Sequence, residues 1–331
     1  MLKKIVLWVF GIILVVLLGG LSYLYLGLPD VGAAPDITVE ETPQQIERGR
    51  YLAEHVTVCV DCHSQRDWSK FSGPLVPGRR GQGGEVFDHG FGFPGIFTAK
   101  NITPHNLKSW SDGELYRLIT TGVTKDGEPI FPVMPYTYYR RMDPEDTRAI
   151  IAYLRTLAPI EQSHPPSDPD FPMNLIMRTI PQQANPMERP SKSDTVAYGK
   201  YLTTIAGCVE CHTPKVQGAP DMDRFLAGGF EFSLPGYGTV TSSNITPHDA
   251  TGIGTWTEQR FVNRFKQYDT LSYEQVREVP KNEFNTVMPW TMYAGMTEED
   301  LKAIYAYLKT VESVQQQITR FVPESATSSG E

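Results

Sequence analysis

The sequence has few cysteines and no excess of positive charge. Its 331 residues include four cysteines, and all four lie in two short motifs, so none remains for a structural disulfide. The net charge of −8 disfavours nucleic acid as a partner and favours a partner with a basic face. Hydrophobic residues make up 40% and charged residues 21%, which excludes a disordered acidic chain and predicts packed cores. At ~150 residues per domain, the length predicts about two domains.

The four cysteines belong to two motifs of one pattern. They are Cys59-Val60-Asp61-Cys62-His63 and Cys208-Val209-Glu210-Cys211-His212. This C-x-x-C-H pattern is the attachment signature of haem c, because one helical turn places both sulfurs along the porphyrin edge and directs the next His to the iron. Half of a zinc site or a redox-active dithiol is the alternative for an isolated C-x-x-C. The sequence therefore predicts two covalently bound haem c groups, attached through Cys59, Cys62, Cys208 and Cys211 and ligated by His63 and His212.

The chain repeats itself around the two motifs. Residues 44–157 match residues 196–311, and both contain an Asn-Ile-Thr-Pro-His segment, at 101–105 and at 244–248. Such self-similarity predicts a duplicated domain with one haem in each copy. The predicted division is a transmembrane anchor at 1–30, a first haem domain at 31–157, a Pro-rich linker at 158–193, a second haem domain at 194–314 and a disordered tail at 315–331.

The residue pattern predicts three helices around each haem and hence an all-α fold. The middle helix should begin at Ser111 and Thr257, and the last helix at Asp143 and Thr297, because these residue types cap helix N-termini. A glycine inside each first helix indicates close approach of another helix, since Gly otherwise costs about 1 kcal/mol relative to Ala. The Gly-rich segments 73–95 and 217–238 are expected to wrap the haem edge, and neither is framed like a phosphate-binding loop.

The second axial ligand decides whether a haem iron transfers electrons or binds a small molecule. A Val-Met-Pro segment recurs at matching positions and predicts Met134 and Met288 as ligands opposite His, a pairing that favours reduced iron. Two further matched pairs could supply the ligand instead. They are His105 with His248, and Met142 with Met296, which directly precede the last helix.

One long uncharged segment precedes the repeats. It runs from Ile5 to Leu28, 24 residues, which is long enough to cross a bilayer as a helix. Lys3 and Lys4 precede it and carboxylates follow, so the positive-inside rule predicts a cytoplasmic N-terminus with the remaining chain outside. We expect a retained single-pass anchor in the cell inner membrane. The alternative is a cleaved signal peptide, whose apolar region is usually shorter.

The order of these motifs resembles that of a known family. C-x-x-C-H, Asn-Ile-Thr-Pro, Trp-Ser/Thr, Met-Pro-Tyr/Trp and a final Ala-Tyr-Leu helix follow one another as in the cytochrome c subunits of bacterial membrane-bound alcohol, aldehyde and gluconate dehydrogenases. The resemblance implies two tandem class I-like cytochrome c domains, His/Met ligation, and Asn101 and Asn244 near the haem edge. It also implies that the haem domains are periplasmic, because haem c is attached on the outer face of the bacterial membrane. The chain carries two attachment motifs where that family commonly has three.

Together, the motifs and the resemblance predict an electron carrier with no catalytic residues of its own. We expect a membrane-anchored dihaem cytochrome c that transfers electrons between a dehydrogenase or respiratory complex and a quinone, an oxidase or another cytochrome. The main alternative is a dihaem peroxidase. That enzyme needs one iron without a strong sixth ligand, and the matched Met-Pro segments argue against this asymmetry. A haem-based sensor is a third hypothesis.

Overall fold

The chain is mainly helical. The computed structural model describes residues 1–216 and 218–324, so the predicted tail from residue 325 onward lies outside the described residues. A π-helical turn at Leu52–Val56 continues the second helix. The α-helices are α1 (Leu2–Leu26), α2 (Pro43–Tyr51), α3 (Cys59–Cys62), α4 (Pro104–Leu107), α5 (Asp112–Thr121), α6 (Tyr136–Tyr139), α7 (Pro144–Thr156), α8 (Met173–Ile176), α9 (Thr195–Ile205), α10 (Cys208–His212), α11 (Glu258–Lys266), α12 (Trp290–Tyr293) and α13 (Glu298–Leu308).

Short antiparallel strands accompany the helices, which corrects the all-α prediction. They pair in the orders β1-β2-β3, β4-β5 and β6-β7-β8. Most of them lie in or beside the two Gly-rich segments. Gly238 explains why glycine is needed there, because a Cβ on it would lie 2.1 Å from the carbonyl oxygen of Val322 in the paired strand. The strands are β1 (Val86–Phe87), β2 (Gly95–Thr98), β3 (Asp168–Pro169), β4 (Lys215–Val216), β5 (Ala219–Pro220), β6 (Glu231–Leu234), β7 (Gly238–Thr241) and β8 (Phe321–Pro323).

The middle and last helices of each repeat begin where the sequence predicts. Ser111 caps α5 in a reciprocal capping box with Glu114, and Thr257 caps α11 through its side-chain oxygen. Asp143 and Thr297 likewise accept backbone N–H groups at the starts of α7 and α13. The predicted N-caps are therefore confirmed in both repeats.

The first and last helices of each repeat cross at a glycine. Helix α2 packs against α7, and α9 packs against α13. A Cβ at Gly49 would lie 1.7 Å from the carbonyl oxygen of Ala149, and a Cβ at Gly199 would lie 1.9 Å from that of Ala303. These contacts confirm the predicted close approach of a second helix at both positions.

The two repeats contact each other through a reciprocal pair of tyrosines. Tyr51 of the first repeat donates a hydrogen bond to Asp300 of the second (2.6 Å), and Tyr201 of the second donates to Asp146 of the first (2.7 Å). Each phenolic oxygen also accepts the N–H of the residue that caps the other repeat's last helix. One cluster of buried apolar side chains runs through both repeats. The repeats therefore share an extensive, nearly symmetric contact.

The Pro-rich segment between the repeats lies along the first repeat. Strand β3 of this segment pairs with β2, and the N–H of Asn185 donates to the carbonyl of Arg140 (2.9 Å). The Arg189 guanidinium pairs with the buried carboxylate of Asp146. The segment is mostly without regular structure, as expected of a Pro-rich connector, but the first repeat holds it at several points.

The end of the described chain is ordered. Strand β8 pairs with β7, and the N–H of Gln316 donates to the hydroxyl of Thr251 (3.1 Å). The prediction of a disordered tail from residue 315 therefore does not hold for residues 316–324. The physical reason is that this segment supplies the outer strand of a sheet that would otherwise expose unpaired backbone groups.

Helix α1 has no buried residue. It is the one helix in the described ranges that is long and apolar enough to cross a membrane. At its end, Arg178 donates to the carbonyl of Leu28 (3.1 Å), lies 4.8 Å from the ring centre of Tyr25, and pairs with Glu128 of the first repeat (2.5 Å). Arg178 therefore connects the end of this helix to the first repeat.

Candidate haem-binding sites

Both attachment motifs form one helical turn that starts in the same way. Helices α3 and α10 each follow a residue in the left-handed conformation, which is Val58 (φ 46°) in the first repeat and Gly207 (φ 68°) in the second. A β-branched residue in this region is strained, so the surrounding structure must hold the first turn in place. The cysteines of both motifs are partly exposed, as residues that attach a large group need to be.

The two candidate histidine ligands are oriented by identical hydrogen bonds. Nδ1 of His63 lies 2.7 Å from the carbonyl oxygen of Lys100, and Nδ1 of His212 lies 2.7 Å from that of Ser243. Because a carbonyl oxygen only accepts, Nδ1 carries the proton and Nε2 keeps its lone pair for a metal. Burial lowers the pKa of both imidazoles, which keeps them neutral and able to ligate.

These carbonyls belong to the residues directly before the repeated Asn-Ile-Thr-Pro segments. Lys100 and Ser243 directly precede Asn101 and Asn244, which are buried. Each asparagine accepts the N–H and hydroxyl of the threonine two residues on. Its amide donates to backbone carbonyls beyond the last helix, those of Ile160 and Gln162 in the first repeat and that of Val314 in the second. The asparagines thus fix the loop that orients the histidines, and Asn244 also lies at the wall of a cavity.

Two matched tyrosines near the attachment motifs were missed at the level of sequence. Tyr139 donates to the carbonyl of Thr57 (2.9 Å), and Tyr293 donates to that of Ala206 (2.5 Å). Each accepting carbonyl lies two residues before the first cysteine of a motif. The hydroxyls therefore hold the backbone that leads into both attachment turns. Tyr139 and Tyr293 follow the methionines of the two Met-Pro segments at the same spacing along the chain, and this is the sequence signal that could have identified them.

A cavity of about 400 Å³ adjoins the second attachment motif. Cys208, Cys211, His212 and Met288 all reach its wall, and the rest of the wall is largely aromatic and aliphatic. The side chains of Arg264 and Arg320 also line it and could offer charge to the two propionates of a haem. The residues present therefore fit a covalently attached, mostly apolar porphyrin with an iron between a His and a Met.

Exposure separates the candidate methionine ligands. A sulfur that faces an iron must present surface to the cavity in the protein alone. Met134 and Met288 are partly exposed, and Met288 lines the cavity, whereas Met142 is 0% and Met296 is 1% exposed. Met296 does adjoin the cavity, but its side chain is enclosed by the core. The exposure of the side chains therefore favours Met134 and Met288 over Met142 and Met296. Ligation of iron by Met134 and Met288 stays a prediction.

Bis-histidine ligation, a redox-active dithiol and a zinc site each find less support in the geometry. Nδ1 of His248 already accepts the N–H of Thr251 (3.1 Å), and His248 is not among the residues that line the cavity. Burial raises the pKa of Cys208 and of Cys211 to about 12, the opposite of an activated redox dithiol. Within residues 1–216 and 218–324, no group of three or more His, Cys, Asp or Glu side chains is arranged to hold a metal ion, so a zinc site lacks further ligands.

Comparison with known proteins agrees with this geometry. Residues 196–312 match the Cytochrome c family model, so the second repeat is a cytochrome c domain, which implies covalently bound haem c and a role in electron transport. The chain as a whole is similar to cytochrome c subunits of dehydrogenases, which confirms the resemblance indicated by the motifs.

Three relatives define this similarity. The cytochrome c subunit of alcohol dehydrogenase (quinone) from Gluconobacter oxydans is 24% identical over 81% of this chain and 55% of its own length. The gluconate 2-dehydrogenase cytochrome c subunit from Pantoea cypripedii is 26% identical over 80% and 59%. A diheme cytochrome c-type protein from Cereibacter sphaeroides is 29% identical over 78% and 83%. The chain thus spans little more than half the length of the two dehydrogenase subunits.

Proposed function

We propose that this protein is a membrane-anchored dihaem cytochrome c that carries electrons from a dehydrogenase or respiratory complex to a quinone, an oxidase or another cytochrome. One observation carries the proposal: the same donor set occurs twice, as two cysteines on a helical turn, a His held through Nδ1 and a Met-Pro segment. Residues 31–157 and 194–314 would be the two cytochrome c domains, joined by the linker at 158–193.

Each set of residues has a distinct task in this proposal. Haem c at each site would supply an iron that cycles between the ferric and ferrous states. The cysteine pairs would hold the porphyrin, and His63 with Met134 and His212 with Met288 would hold its iron. An iron held by two such residues would leave no place for peroxide or other small ligands, and a Met ligand together with a His would favour the reduced state. The side chains therefore suit electron transfer better than peroxidase chemistry.

Crossed contacts bring the two candidate sites together. Helix α6, which follows the first Met-Pro, packs against α9, which leads into the second attachment motif. Helix α12, which follows the second Met-Pro, packs against the π-helical turn before the first motif, where Nδ1 of His55 lies 3.0 Å from the carbonyl oxygen of Met292. This arrangement supports electron transfer between the two sites within one molecule.

The proposed donor and location come from the relatives and from α1. Relatives are named as cytochrome subunits of alcohol, gluconate and fructose dehydrogenases, so a dehydrogenase is the proposed electron donor. Helix α1 would cross the inner membrane with Lys3 and Lys4 in the cytoplasm, and the haem domains would lie in the periplasm. Arg178 would then hold the first domain close to the membrane surface.

The proposal is tested by the spectra of the purified haem-loaded protein. Two haems per chain are expected, with the weak far-red charge-transfer band of Met–iron ligation in the ferric form. Met134→Ala and Met288→Ala should each remove about half of this band, and the double variant should remove all of it. A high-spin ferric haem with peroxide turnover in the unaltered protein would support the peroxidase hypothesis and overturn the carrier proposal.

A further inference from the structure

A loop of the first repeat reaches the Met-Pro segment of the second. Residues 67–73, here termed the bridging loop, pack against the segment 276–290 of the second repeat. The N–H of Phe71 donates to the carbonyl of Arg277 (2.9 Å), and the N–H of Val279 donates to the carbonyl of Ser69 (2.7 Å). This contact is separate from the reciprocal tyrosine contact and has its own apolar cluster around Phe71.

Ser72 of the bridging loop contacts the backbone of Met288 directly. Its hydroxyl donates to the carbonyl oxygen of Met288 (2.5 Å) and accepts the N–H of Trp290 (3.0 Å). Ser72 is 0% exposed and has a positive φ of 66°. A buried non-glycine residue in this conformation is costly and persists only where its surroundings hold it. The serine is thus fixed where its hydroxyl bridges the carbonyl of Met288 and the N–H of Trp290, two groups that also bond each other directly (2.8 Å).

Three hydrogen bonds of the Asn285 side chain join the segment before Met288 to the bridging loop. The side-chain oxygen of Asn285 accepts the N–H of Ser72 (2.9 Å), and its amide donates to the carbonyls of Trp68 (3.0 Å) and Lys70 (3.2 Å). Asn285 is fully buried. Ser72 therefore holds the backbone that follows Met288, and the bridging loop also holds the Asn285 side chain three residues before it. The N–H of Met288 itself donates to the hydroxyl of Thr286 in its own repeat (3.1 Å).

The bridging loop is itself tied to the first attachment motif. The Arg66 guanidinium donates to the carbonyls of Ser72 and Gly73 (both 2.9 Å). It also pairs with Asp61 (3.0 Å), which lies between the two cysteines of that motif, and both charged side chains are 5% exposed. A continuous chain of bonds therefore runs from the first attachment turn to the backbone of Met288.

The first repeat has no comparable arrangement at the corresponding positions. By the spacing of the two Met-Pro segments, Phe131 and Pro132 replace Asn285 and Thr286. The side chains of Phe131 and Pro132 can supply neither the amide of Asn285 nor the hydroxyl of Thr286. Phe131 instead stacks on Phe97 of its own repeat, with ring centres 4.1 Å apart. The two methionines are thus matched in sequence but held differently.

We propose that Ser72 is a positioning residue for the second haem: through the carbonyl of Met288 and the N–H of Trp290, the first repeat holds the axial methionine of the second repeat in reach of the iron. This inference rests on the proposed function, in which Met288 is that ligand. A thioether is a weak ligand on a flexible side chain, so its bond to iron depends on where the backbone places it. The Met–iron bond of the second haem should therefore depend on the first repeat, and the bond of the first haem should not.

The test uses full-length, haem-loaded protein that carries Met134→Ala, so that the far-red Met–iron band reports the second haem alone. In this background, Ser72→Ala should increase the methionine-free population about fivefold or more, because it removes both hydrogen bonds of the hydroxyl and the loss of one such bond corresponds to about fivefold. Imidazole, which competes with methionine for the iron, should then abolish the band at about one-fifth of the concentration needed without the substitution. The midpoint potential of the second haem should also fall.

Three comparisons decide the outcome. Ser72→Gly removes the hydroxyl but relaxes the positive φ, so an effect equal to that of Ser72→Ala assigns the cause to the hydroxyl. Ser69→Ala in the same loop removes the hydroxyl of an exposed residue, which donates to Asp67 (2.6 Å), and it should leave the imidazole titration unchanged. Haem content and circular dichroism equal to the parent establish folding. An unchanged imidazole titration in both Ser72 variants would overturn the positioning role, whereas a band that survives in Met134→Ala/Met288→Ala would overturn the ligand assignment itself.

Discussion

At the scale of single residues, the two sites are alike where the histidine is held and different where the methionine is held. Nδ1 of His63 and of His212 makes the same 2.7 Å contact with a carbonyl that precedes Asn-Ile-Thr-Pro. The repeated Asn-Ile-Thr-Pro segment is thus explained by ligand orientation, since an imidazole must be held through one nitrogen to offer the other. The Met-Pro segments share one bond, from the N–H of Tyr136 or Trp290 to the methionine carbonyl (2.8 Å), but the second segment is also held by Ser72 of the other repeat.

The helix-crossing glycines give a prediction whose sign opposes helix propensity. Alanine inside a helix normally stabilises it by about 1 kcal/mol relative to glycine. At Gly49 and Gly199 the added methyl would lie within 2 Å of a backbone carbonyl that cannot move independently of its helix. Gly49→Ala and Gly199→Ala should therefore each lower the free energy of unfolding by about 1–3 kcal/mol or more.

Urea unfolding of the haem-loaded protein, followed by circular dichroism, measures this loss. Lys200→Ala is the matched control, because Lys200 is the exposed neighbour of Gly199 in the same helix and its replacement should change stability by less than about 0.5 kcal/mol. If Gly199→Ala were as stable as the parent, the close packing of α9 on α13 would be wrong.

At the scale of helices and strands, local features were predictable and distant pairings were not. Ser111 and Asp143 mark helix starts because a cap bonds residues within the same turn. The order of β8 could not be anticipated, because its pairing with β7 joins segments some 80 residues apart and the tail composition alone indicates disorder. For the same reason the contact of Ser72 with Met288 was missed, since no local pattern links a loop of one repeat to a carbonyl of the other.

The reciprocal tyrosine contact predicts unequal effects for two equivalent substitutions. Without Tyr201, the carboxylate of Asp146 keeps its bonds to Arg48 (2.8 and 2.9 Å) and its pairing with Arg189. Without Tyr51, the equally buried Asp300 keeps only Lys192 at 3.7 Å, and one of its oxygens already has no hydrogen-bond partner. Tyr198 occupies the position that corresponds to Arg48, so the arginine that bonds Asp146 has no counterpart beside Asp300.

Tyr51→Phe should therefore cost about 2–3 kcal/mol of unfolding free energy, and Tyr201→Phe about 1 kcal/mol, because a buried charge that loses its bond pays its desolvation in full. The measurement is urea unfolding of both variants and of the double variant under identical conditions. Equal losses would show that the two halves of this contact are energetically alike and that the missing arginine has no consequence.

At the scale of the whole molecule, the repeats form one connected body. The tyrosine contact, the bridging loop and the crossed packing of α6 and α12 all join the first repeat to the second. A flexible tether between two independent haem domains would need none of these contacts. The arrangement instead suits the proposed pair of redox centres, which it would hold at a fixed separation.

The proposed position of this body at a membrane rests on α1 and Arg178, and it can be tested on native membranes. Helix α1 spans 25 residues with none buried, so an aqueous environment would leave a large apolar surface exposed. We expect the haem-loaded protein to stay in the membrane fraction through washes with 1 M salt and with alkaline carbonate, and to require detergent for release. The intact mass should include residues 1–30 together with two haems.

A variant in which a cleavable signal replaces residues 1–30 is the control, and it should be recovered without detergent with the same haem content. Release of the unaltered chain by salt, with an N-terminus shortened to near Ala34, would show instead that the segment is a signal peptide and that the carrier is not held by a helix of its own.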